Sequence, residues 1–166
     1  MPSSLRRLLI PLILAVAVFV LAAIFGPLNF IPLAASSALR SPGADAVVTL
    51  YSLRPGEQSE ESDSTFHHFR ILGKADLIPV QAKSACRKIL SDIPILYGVQ
   101  AICFNPRHGL RIKTPDKTLD YLICYQCGKI YIYINNTLSE HYISNSSEEL
   151  DRLLTAAGIP LRERIK

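Results

Sequence analysis

The chain has 166 residues, of which 18 are basic and 14 acidic, and its formal net charge is +4. Arg6, Arg7 and Arg40 carry three of the positive charges, so the chain after residue 40 holds 15 basic and 14 acidic residues. A near-neutral domain is a poor binder of phosphate backbones, which argues against nucleic acid as a partner. About 120 residues follow the apolar start of the chain, and this length fits one domain.

An apolar segment begins the chain. Residues 8–25 contain neither a charge nor a strongly polar side chain, and Arg6 and Arg7 precede them. A segment of this length can cross the hydrocarbon core of a bilayer, which predicts a single-pass membrane anchor within residues 1–33. The alternative is a cleaved secretory signal, which has the same basic start but a shorter apolar region and an Ala-x-Ala-like cleavage site. Residues 36–38 are a poor version of that site, so the anchor is favoured.

The charges beside the apolar segment predict which side of the membrane the domain faces. Basic residues precede the segment and no acidic residue occurs before Asp45, a pattern that places the N-terminus in the cytoplasm. The domain of residues 47–166 then lies outside the cell membrane. If the segment is a cleaved signal, the domain is instead secreted or periplasmic. Both alternatives place it in surroundings that are usually oxidising.

The first half of the chain after the anchor is predicted to form a tether, two strands and a helix. Residues 34–46 are rich in Ala, Ser and Gly, which is typical of a flexible tether. Residues 45–53 and 66–77 have the β-branched and apolar content of strands, and an acidic, serine-rich loop separates them. Pro79 begins a helix that extends to about Asp92, with apolar residues on one face: Ala82, Ala85, Cys86, Ile89, Leu90 and Ile93.

The second half is predicted to form a meander of strands and a terminal helix. Four strand-like segments follow the first helix, in residues 99–104, 110–113, 119–125 and 130–134. Ser146 and Glu149 form a capping-box pattern at the start of a helix that has apolar residues on one face: Leu150, Leu153, Leu154 and Ala157. Two helices and five to six antiparallel strands make an α+β domain, in which both helices cover one face of the sheet.

Three side chains that could bind a metal or react are predicted to lie outside any functional site: His67, His68 and Cys86. His67 and His68 are adjacent, so on a strand they point to opposite faces and cannot share one ion. Cys86 lies on the apolar stripe of the predicted helix, where a thiol is a small buried hydrophobe.

The other three cysteines and one histidine occur close together in the second half of the chain. If residues 114–117 turn the chain, antiparallel pairing places His108 near Ile123 or its neighbour. Counted onward, the same pairing places Cys103 near Cys127 or its neighbour. A shift of one residue would turn each side chain to the other face, so the prediction depends on the register. The predicted site consists of four side chains at one end of a hairpin: Cys103, His108, Cys124 and Cys127.

Residues 124–129, Cys-Tyr-Gln-Cys-Gly-Lys, resemble the knuckle of zinc ribbons and rubredoxin-like sites. In such a knuckle a tight turn directs two thiolates at one ion. The glycine after the second cysteine, here Gly128, adopts a backbone conformation that would be strained for other residues. A second Cys-x-x-Cys is absent from the chain, so the other ligands would be Cys103 and His108. This Cys₃His set predicts a structural ion, with zinc as the metal.

Other functions of these residues remain open. In an oxidising compartment Cys103 can form a disulfide with Cys124 or Cys127 and so staple an interaction domain. Alternatively, Cys124 and Cys127 are a redox or metal-transfer pair, although both flanks of the motif are predicted strands and oxidoreductases lower thiol pKa at a helix N-terminus. An enzyme is not favoured, because Arg107 and His108 have no Ser or Asp at a spacing that would orient them for hydrolysis.

The blocks Cys-Phe-Asn-Pro-Arg-His-Gly-Leu-Arg (103–111) and Ile-Cys-Tyr-Gln-Cys-Gly (123–128) together resemble a family of small bacterial secreted or membrane-anchored proteins. That family has a Cys-Phe-x-Pro-Arg-His block ahead of a Cys-Phe-x-Cys block, and Tyr125 stands here where the second block has Phe. The resemblance brings no established activity, and it names no protein partner. It implies that six residues act as one unit: Cys103, Pro106, Arg107, His108, Cys124 and Cys127. We therefore expect a membrane-tethered, non-enzymatic domain with a Cys/His metal site.

Overall fold

The computed structural model describes residues 31–58, 60–95, 101–144 and 146–161, together with residues 11 and 16. The predicted membrane segment, residues 8–25, lies outside the described residues except at residues 11 and 16. No helix in the described ranges combines the length and the apolar character needed to cross a bilayer. Within these ranges the chain forms three helices and seven strands: α1 Leu33–Arg40, β1 Val47–Gln58, β2 Thr65–Phe66, β3 Phe69–Asp76, α2 Pro79–Asp92, β4 His108–Lys113, β5 Thr118–Cys124, β6 Lys129–Ile134, β7 Thr137–Tyr142 and α3 Glu148–Ala156.

All seven strands belong to one antiparallel sheet, with the order β2-β3-β1-β4-β5-β6-β7. The α+β class with an antiparallel sheet is therefore confirmed, but the described residues form seven strands and three helices and not the predicted five to six strands and two helices. The sequence does not predict the edge strand β7, because Thr-Leu-Ser-Glu-His-Tyr lacks the apolar alternation of a half-buried strand. Residues 101–104, predicted as the end of a strand, are not in one, and the N–H of Ala101 donates instead to the carbonyl oxygen of Cys127 at 3.0 Å.

Three helices cover one face of the sheet and enclose the larger core. Helix α2 has the predicted bounds, since Pro79 begins it and its apolar stripe faces the sheet. Helix α3 begins later than the predicted capping box, with Ser147 and not Ser146 as its N-cap residue. Alternate residues of the central strands point into this core and meet the helices: Val48, Leu50, Leu110, Ile112, Leu119, Tyr121, Ile123, Ile130 and Ile132 from the strands, and Leu39, Ala85, Ile89, Leu150 and Leu154 from the helices.

Residues 33–40, which composition places in a flexible tether, instead form helix α1. Its Ala35, Ala38 and Leu39 are buried, and the hydroxyl of Tyr121 donates a 2.9 Å hydrogen bond to the carbonyl oxygen of Ala35. An Ala- and Ser-rich segment is flexible only where no apolar surface is available to it. Helix α1 packs against α2, so the domain begins before residue 47.

The opposite face of the sheet carries a smaller, aromatic cluster: Tyr51, Leu53, Phe66, Phe69 and Leu122, with Phe104, Tyr131 and Tyr133 packed against it. A two-residue turn, His67-His68, joins β2 to β3, and both residues have positive φ, 48° and 70°. The prediction that these histidines lie on a strand is therefore wrong. Left-handed backbone is uncommon outside glycine but several-fold enriched for His. The turn places the ring of His67 over that of Tyr133, with centroids 3.8 Å apart.

Candidate functional site

A tight turn joins β5 to β6 and carries two of the cysteines. In it the N–H of Cys127 donates to the carbonyl oxygen of Cys124, and the N–H of Gly128 to that of Tyr125, both at 3.2 Å. Gly128 has a φ of 66°, a left-handed conformation in which an L side chain is strained, as the knuckle pattern predicts. The turn brings the Cα atoms of Cys124 and Cys127 to 5.2 Å, and their sulfur atoms form a disulfide.

Residues 101–105 lie alongside this turn and bring a third sulfur atom to it. The N–H of Ala101 donates to the carbonyl oxygen of Cys127 at 3.0 Å, and the N–H of Asn105 donates to the Sγ of Cys127 at 3.4 Å. These contacts hold the segment on both sides of Cys103, whose Sγ lies 3.7 Å from the Sγ of Cys127. The predicted proximity of Cys103 and Cys127 is confirmed. We call the three residues Cys103, Cys124 and Cys127 the sulfur triad.

The members of the sulfur triad differ in exposure. Cys124 and Cys127 are each 2 % exposed, whereas Cys103 belongs to the exposed surface. Phe104, the next residue, stacks on Tyr131 with ring centroids 3.7 Å apart and so anchors this part of the segment to the aromatic face. A molecule in solvent therefore reaches the triad at Cys103.

His108 lies in β4 opposite Ile123, as antiparallel counting predicts, but its ring pairs with α3 and not with a sulfur atom. Its Nε2 lies 2.9 Å from Oδ1 of Asp151, and its ring centroid is 6.3 Å from that of Tyr125. The hydroxyl of Ser147 donates to the other oxygen of Asp151 at 2.6 Å. The four predicted metal ligands thus divide into the sulfur triad and a histidine–aspartate pair.

The histidine–aspartate pair borders a cavity of about 190 Å³, which is lined by Ser52, Leu53, Arg107, His108, Ser147, Asp151 and Leu161. A serine, an aspartate and a histidine meet here, but the hydroxyl of Ser147 donates to the carboxylate of Asp151 and not to His108. A serine nucleophile needs a base that takes its proton, so this order of contacts is not that of an acyl-transfer triad. The hydroxyl of Ser52 donates to the carbonyl oxygen of Pro160 at 2.7 Å. The pair joins β4 to α3.

In the part of the chain that the structure describes, no group of three or more His, Cys, Asp or Glu side chains is placed to hold a metal ion. Two of the three sulfur atoms are joined in the disulfide, and His108 is paired with an aspartate. Of the predicted supporting residues, Pro106 is buried. The N–H of Arg107 donates to the carbonyl oxygen of Ile123, and its own carbonyl oxygen accepts from the N–H of Leu53. The zinc hypothesis stays a prediction.

A buried acidic side chain, which the sequence does not single out, holds the cysteine turn. The hydroxyl of Tyr125 donates a 2.8 Å hydrogen bond to Oδ2 of Asp92, which is 1 % exposed at the end of α2. Nζ of Lys88 donates to Oδ1 of the same carboxylate at 2.7 Å. Burial, and then the negative charge of Asp92, raise the pKa of Tyr125 above its usual value, so the hydroxyl keeps its proton. Only the i, i+4 spacing of Lys88 and Asp92 signals this contact in the sequence.

The fourth cysteine, Cys86, is fully buried in α2, as its place on the apolar stripe predicts. Burial raises the pKa of its thiol to about 12, so the reactive thiolate is scarce at neutral pH. Its assignment as a small core hydrophobe is confirmed. Thiol chemistry is therefore restricted to the sulfur triad.

A second polar cluster lies on the aromatic face and is also missed by the sequence. Asp120, 4 % exposed, accepts from Nε of Arg111 at 2.7 Å and from its Nη2 at 2.6 Å, and Nε2 of His67 lies 2.7 Å from Oδ2. Burial alone would raise the pKa of Asp120, but the hydrogen bonds from Arg111 and His67 outweigh it and hold the pKa below its usual value. The cluster fastens the turn that contains His67 to the sheet.

Comparison of the chain with protein-family models, curated proteins and solved structures finds no match. The resemblance of the two cysteine blocks to a bacterial family stays a prediction. The arrangement of the sulfur triad and its neighbours is therefore the basis of the functional argument.

Proposed function

We propose that this protein is an extracytoplasmic domain that exchanges thiols and disulfides through Cys124 and Cys127. The observation that carries the proposal is the third sulfur atom: Sγ of Cys103 lies 3.7 Å from Sγ of the disulfide-bonded Cys127. Exchange requires a thiolate to approach one sulfur atom of a disulfide, and this contact supplies such an approach. A disulfide that only staples the fold has no need of a thiol beside it.

The redox step involves the disulfide and a dithiol of a protein or peptide in the same compartment. The dithiol loses two electrons and two protons and becomes a disulfide, while the bond between Cys124 and Cys127 breaks and both sulfur atoms become thiols. The reverse reaction oxidises the domain. Direction is set by the reduction potential of the pair relative to its partner.

A redox titration of the full-length chain in detergent tests the proposal. The protein is equilibrated with reduced and oxidised glutathione in varying ratio, free thiols are alkylated in acid, and the modified peptides are identified by mass. We expect the Cys124–Cys127 disulfide to be reduced to two thiols within the range of potentials that these glutathione ratios cover. A pair that stays oxidised at every ratio would be a structural staple and would overturn the proposal, because structural disulfides resist reduction by glutathione.

A structural zinc site is the second candidate, and one distance favours it. Two thiolates bound to a tetrahedral zinc ion by bonds of about 2.3 Å are about 3.8 Å apart. The Sγ atoms of Cys103 and Cys127 are separated by 3.7 Å. After reduction the sulfur triad would supply three ligands, and His108 would have to leave Asp151 to supply the fourth. Elemental analysis of reduced protein tests this: one zinc per chain, with the triad protected from alkylation, would favour metal binding over exchange.

The proposed location rests on residues 1–33 as a membrane anchor. Exposure of Cys103 provides the test, because a membrane-impermeant maleimide added to cells that are stripped of any outer membrane, but whose cytoplasmic membrane is intact, should label it from outside. The Cys103→Ser variant, with its remaining free thiol at the buried Cys86, is the control. Labelling that occurs only after lysis would overturn the outward orientation. The mass of the mature chain then distinguishes a retained anchor from a cleaved signal.

A further inference from the structure

The disulfide of the sulfur triad is enclosed, and its enclosure limits how a partner can reach it. Cys124 and Cys127 are each 2 % exposed, and Cys127 is further covered by Cys103 and by the N–H of Asn105. Exchange needs a thiolate to reach one of the two sulfur atoms of the disulfide. A thiol attached to another protein is therefore blocked from direct attack on the pair. The exposed Cys103 is in contact with it.

We propose, on the basis of the exchange function, that Cys103 is the gateway that moves the disulfide from the buried pair to the protein surface. The Cys103 thiolate attacks Sγ of Cys127, a Cys103–Cys127 bond forms, and the Cys124–Cys127 bond breaks. Cys124 leaves as a thiolate. It takes up one proton, which balances the proton that Cys103 lost. The rearrangement consumes no oxidant or reductant. Its product is a disulfide with one exposed sulfur atom.

The groups around the triad favour this rearrangement. The N–H of Cys127 lies 3.2 Å from Sγ of Cys124 and donates to the sulfur that must leave as an anion. Lys129 follows the turn directly, and its Nζ pairs with Glu140 at 3.0 Å. The hydrogen bond to Glu140 raises the pKa of Lys129. The ammonium group of Lys129 is thus held beside the cysteine turn.

The surface disulfide then reacts with a partner of defined chemistry, a dithiol of an extended peptide or a protein. One partner thiolate attacks Sγ of Cys103, and Cys127 leaves as a thiolate. The second thiolate of the partner attacks the partner sulfur atom that is bonded to Cys103. The partner thereby becomes a disulfide, and Cys103 is released. Two electrons have passed from the partner to the domain, and the sulfur triad is fully reduced. Ile102, the exposed apolar neighbour of Cys103, offers a contact for the partner.

Peptide mass mapping of the Cys124→Ser variant tests the rearranged bond. The full-length variant is equilibrated in oxidised glutathione and digested without reduction. We expect a disulfide between Cys103 and Cys127, because their sulfur atoms are already in contact and the competing partner is gone. If both cysteines are recovered as free thiols or as separate glutathione adducts, the rearranged bond does not form and the gateway is overturned.

Exchange rates test the path of the electrons. The full-length wild type, in detergent, is mixed with a short reduced peptide containing Cys-Gly-Gly-Cys, and peptide oxidation is followed by chromatography. We expect the Cys103→Ser variant to oxidise the peptide at least about tenfold more slowly, since a buried sulfur is attacked slowly. Cys86→Ala, which removes the buried fourth thiol, should react at the wild-type rate. Intact circular dichroism and an intact Cys124–Cys127 disulfide show that Cys103→Ser is folded.

The gateway role of Cys103 and the exchange function can fail separately. If Cys103→Ser reacts as fast as the wild type, the gateway is overturned while exchange at the buried pair stands. If the wild type itself oxidises no peptide and its pair resists glutathione, the exchange function is overturned and the gateway with it.

Discussion

The hydroxyl of Tyr125 lies 2.8 Å from Oδ2 of Asp92, which ties the residue between two cysteines to the end of a helix. Helix α2 and the β5–β6 turn are more than thirty residues apart in sequence, and this hydrogen bond joins them across the edge of the core. The carbonyl oxygen of Asp92 also accepts from the N–H of Ser144 at 2.8 Å. Asp92 therefore organises the surroundings of the sulfur triad.

The contact between Tyr125 and Asp92 should have a measurable effect on stability. In Tyr125→Phe the buried carboxylate loses one donor and keeps Lys88, so we expect the free energy of unfolding to fall by about 1–2 kcal/mol. Urea unfolding followed by circular dichroism measures the change. Tyr133→Phe is the matched control, because its hydroxyl has no hydrogen bond to a described residue, and it should change stability by less than about 0.5 kcal/mol. Equal effects of the two substitutions would contradict the assigned role of Asp92.

Asp120 should make stability depend on pH. Burial works to raise its pKa, but Arg111 and His67 hold that pKa below the usual value. A carboxyl whose pKa is lowered by folding contributes stability above its unfolded pKa, about 3.9, and this stability is lost as the pH falls through the folded pKa. We therefore expect Asp120→Asn to lower the free energy of unfolding at pH 7 by about 1–3 kcal/mol and to weaken the loss of stability in acid.

Urea unfolding of wild type and Asp120→Asn from about pH 7 to pH 3 measures both effects. Glu149→Gln is the control, since the pKa of Glu149 is also lowered, chiefly by its hydrogen bond to the exposed Arg152. Exposed ion pairs are weak, so this variant should change the loss of stability in acid less. If wild type and Asp120→Asn lose the same stability as the pH falls, another carboxyl causes the pH dependence.

Gly109 should tolerate no larger side chain, because β4 packs closely against an aromatic ring there. A Cβ atom at Gly109 would lie 2.6 Å from the ring of Phe66, which is itself stacked on Tyr51 with centroids 4.3 Å apart. We expect Gly109→Ala to cost about 1–3 kcal/mol of unfolding free energy through overpacking. Gly43→Ala is the control, since no atom lies within 4 Å of the added Cβ. Thermal melting of the two variants compares them, and an unchanged melting temperature for Gly109→Ala would contradict this packing.

Helix α1 should contribute to the stability of the domain, in contrast to a flexible tether. Leu39 is 1 % exposed and packs into the larger core, so Leu39→Ala should lower the free energy of unfolding by about 2–4 kcal/mol. Leu33→Ala removes the same atoms from the same helix, but Leu33 is 83 % exposed and the change should be small. Denaturant unfolding distinguishes the two substitutions. Equal stabilities would mean that residues 33–40 do not pack in solution as they do here.

Particular positions show how far the sequence predicts the site. The turn Thr114-Pro115-Asp116-Lys117 sets the register of β4 against β5, and counting from it correctly places His108 opposite Ile123. The cysteine turn and the left-handed Gly128 follow from six residues in sequence. The partner of His108 does not follow, because Asp151 is 43 positions away, on a helix whose docking depends on the whole core.

The sequence by itself determined the α+β class, the bounds of α2, the buried state of Cys86 and the meeting of Cys103 with Cys127. Each depends on periodicity, turn chemistry or ladder counting, which act between neighbours along the chain or across one hairpin. Only the tertiary structure decided which two sulfur atoms bond, that His108 joins an aspartate, that Asp92 holds Tyr125, and that residues 33–40 are helical. These depend on which distant surfaces are buried together, and a buried polar group takes the partner that the packed core places beside it.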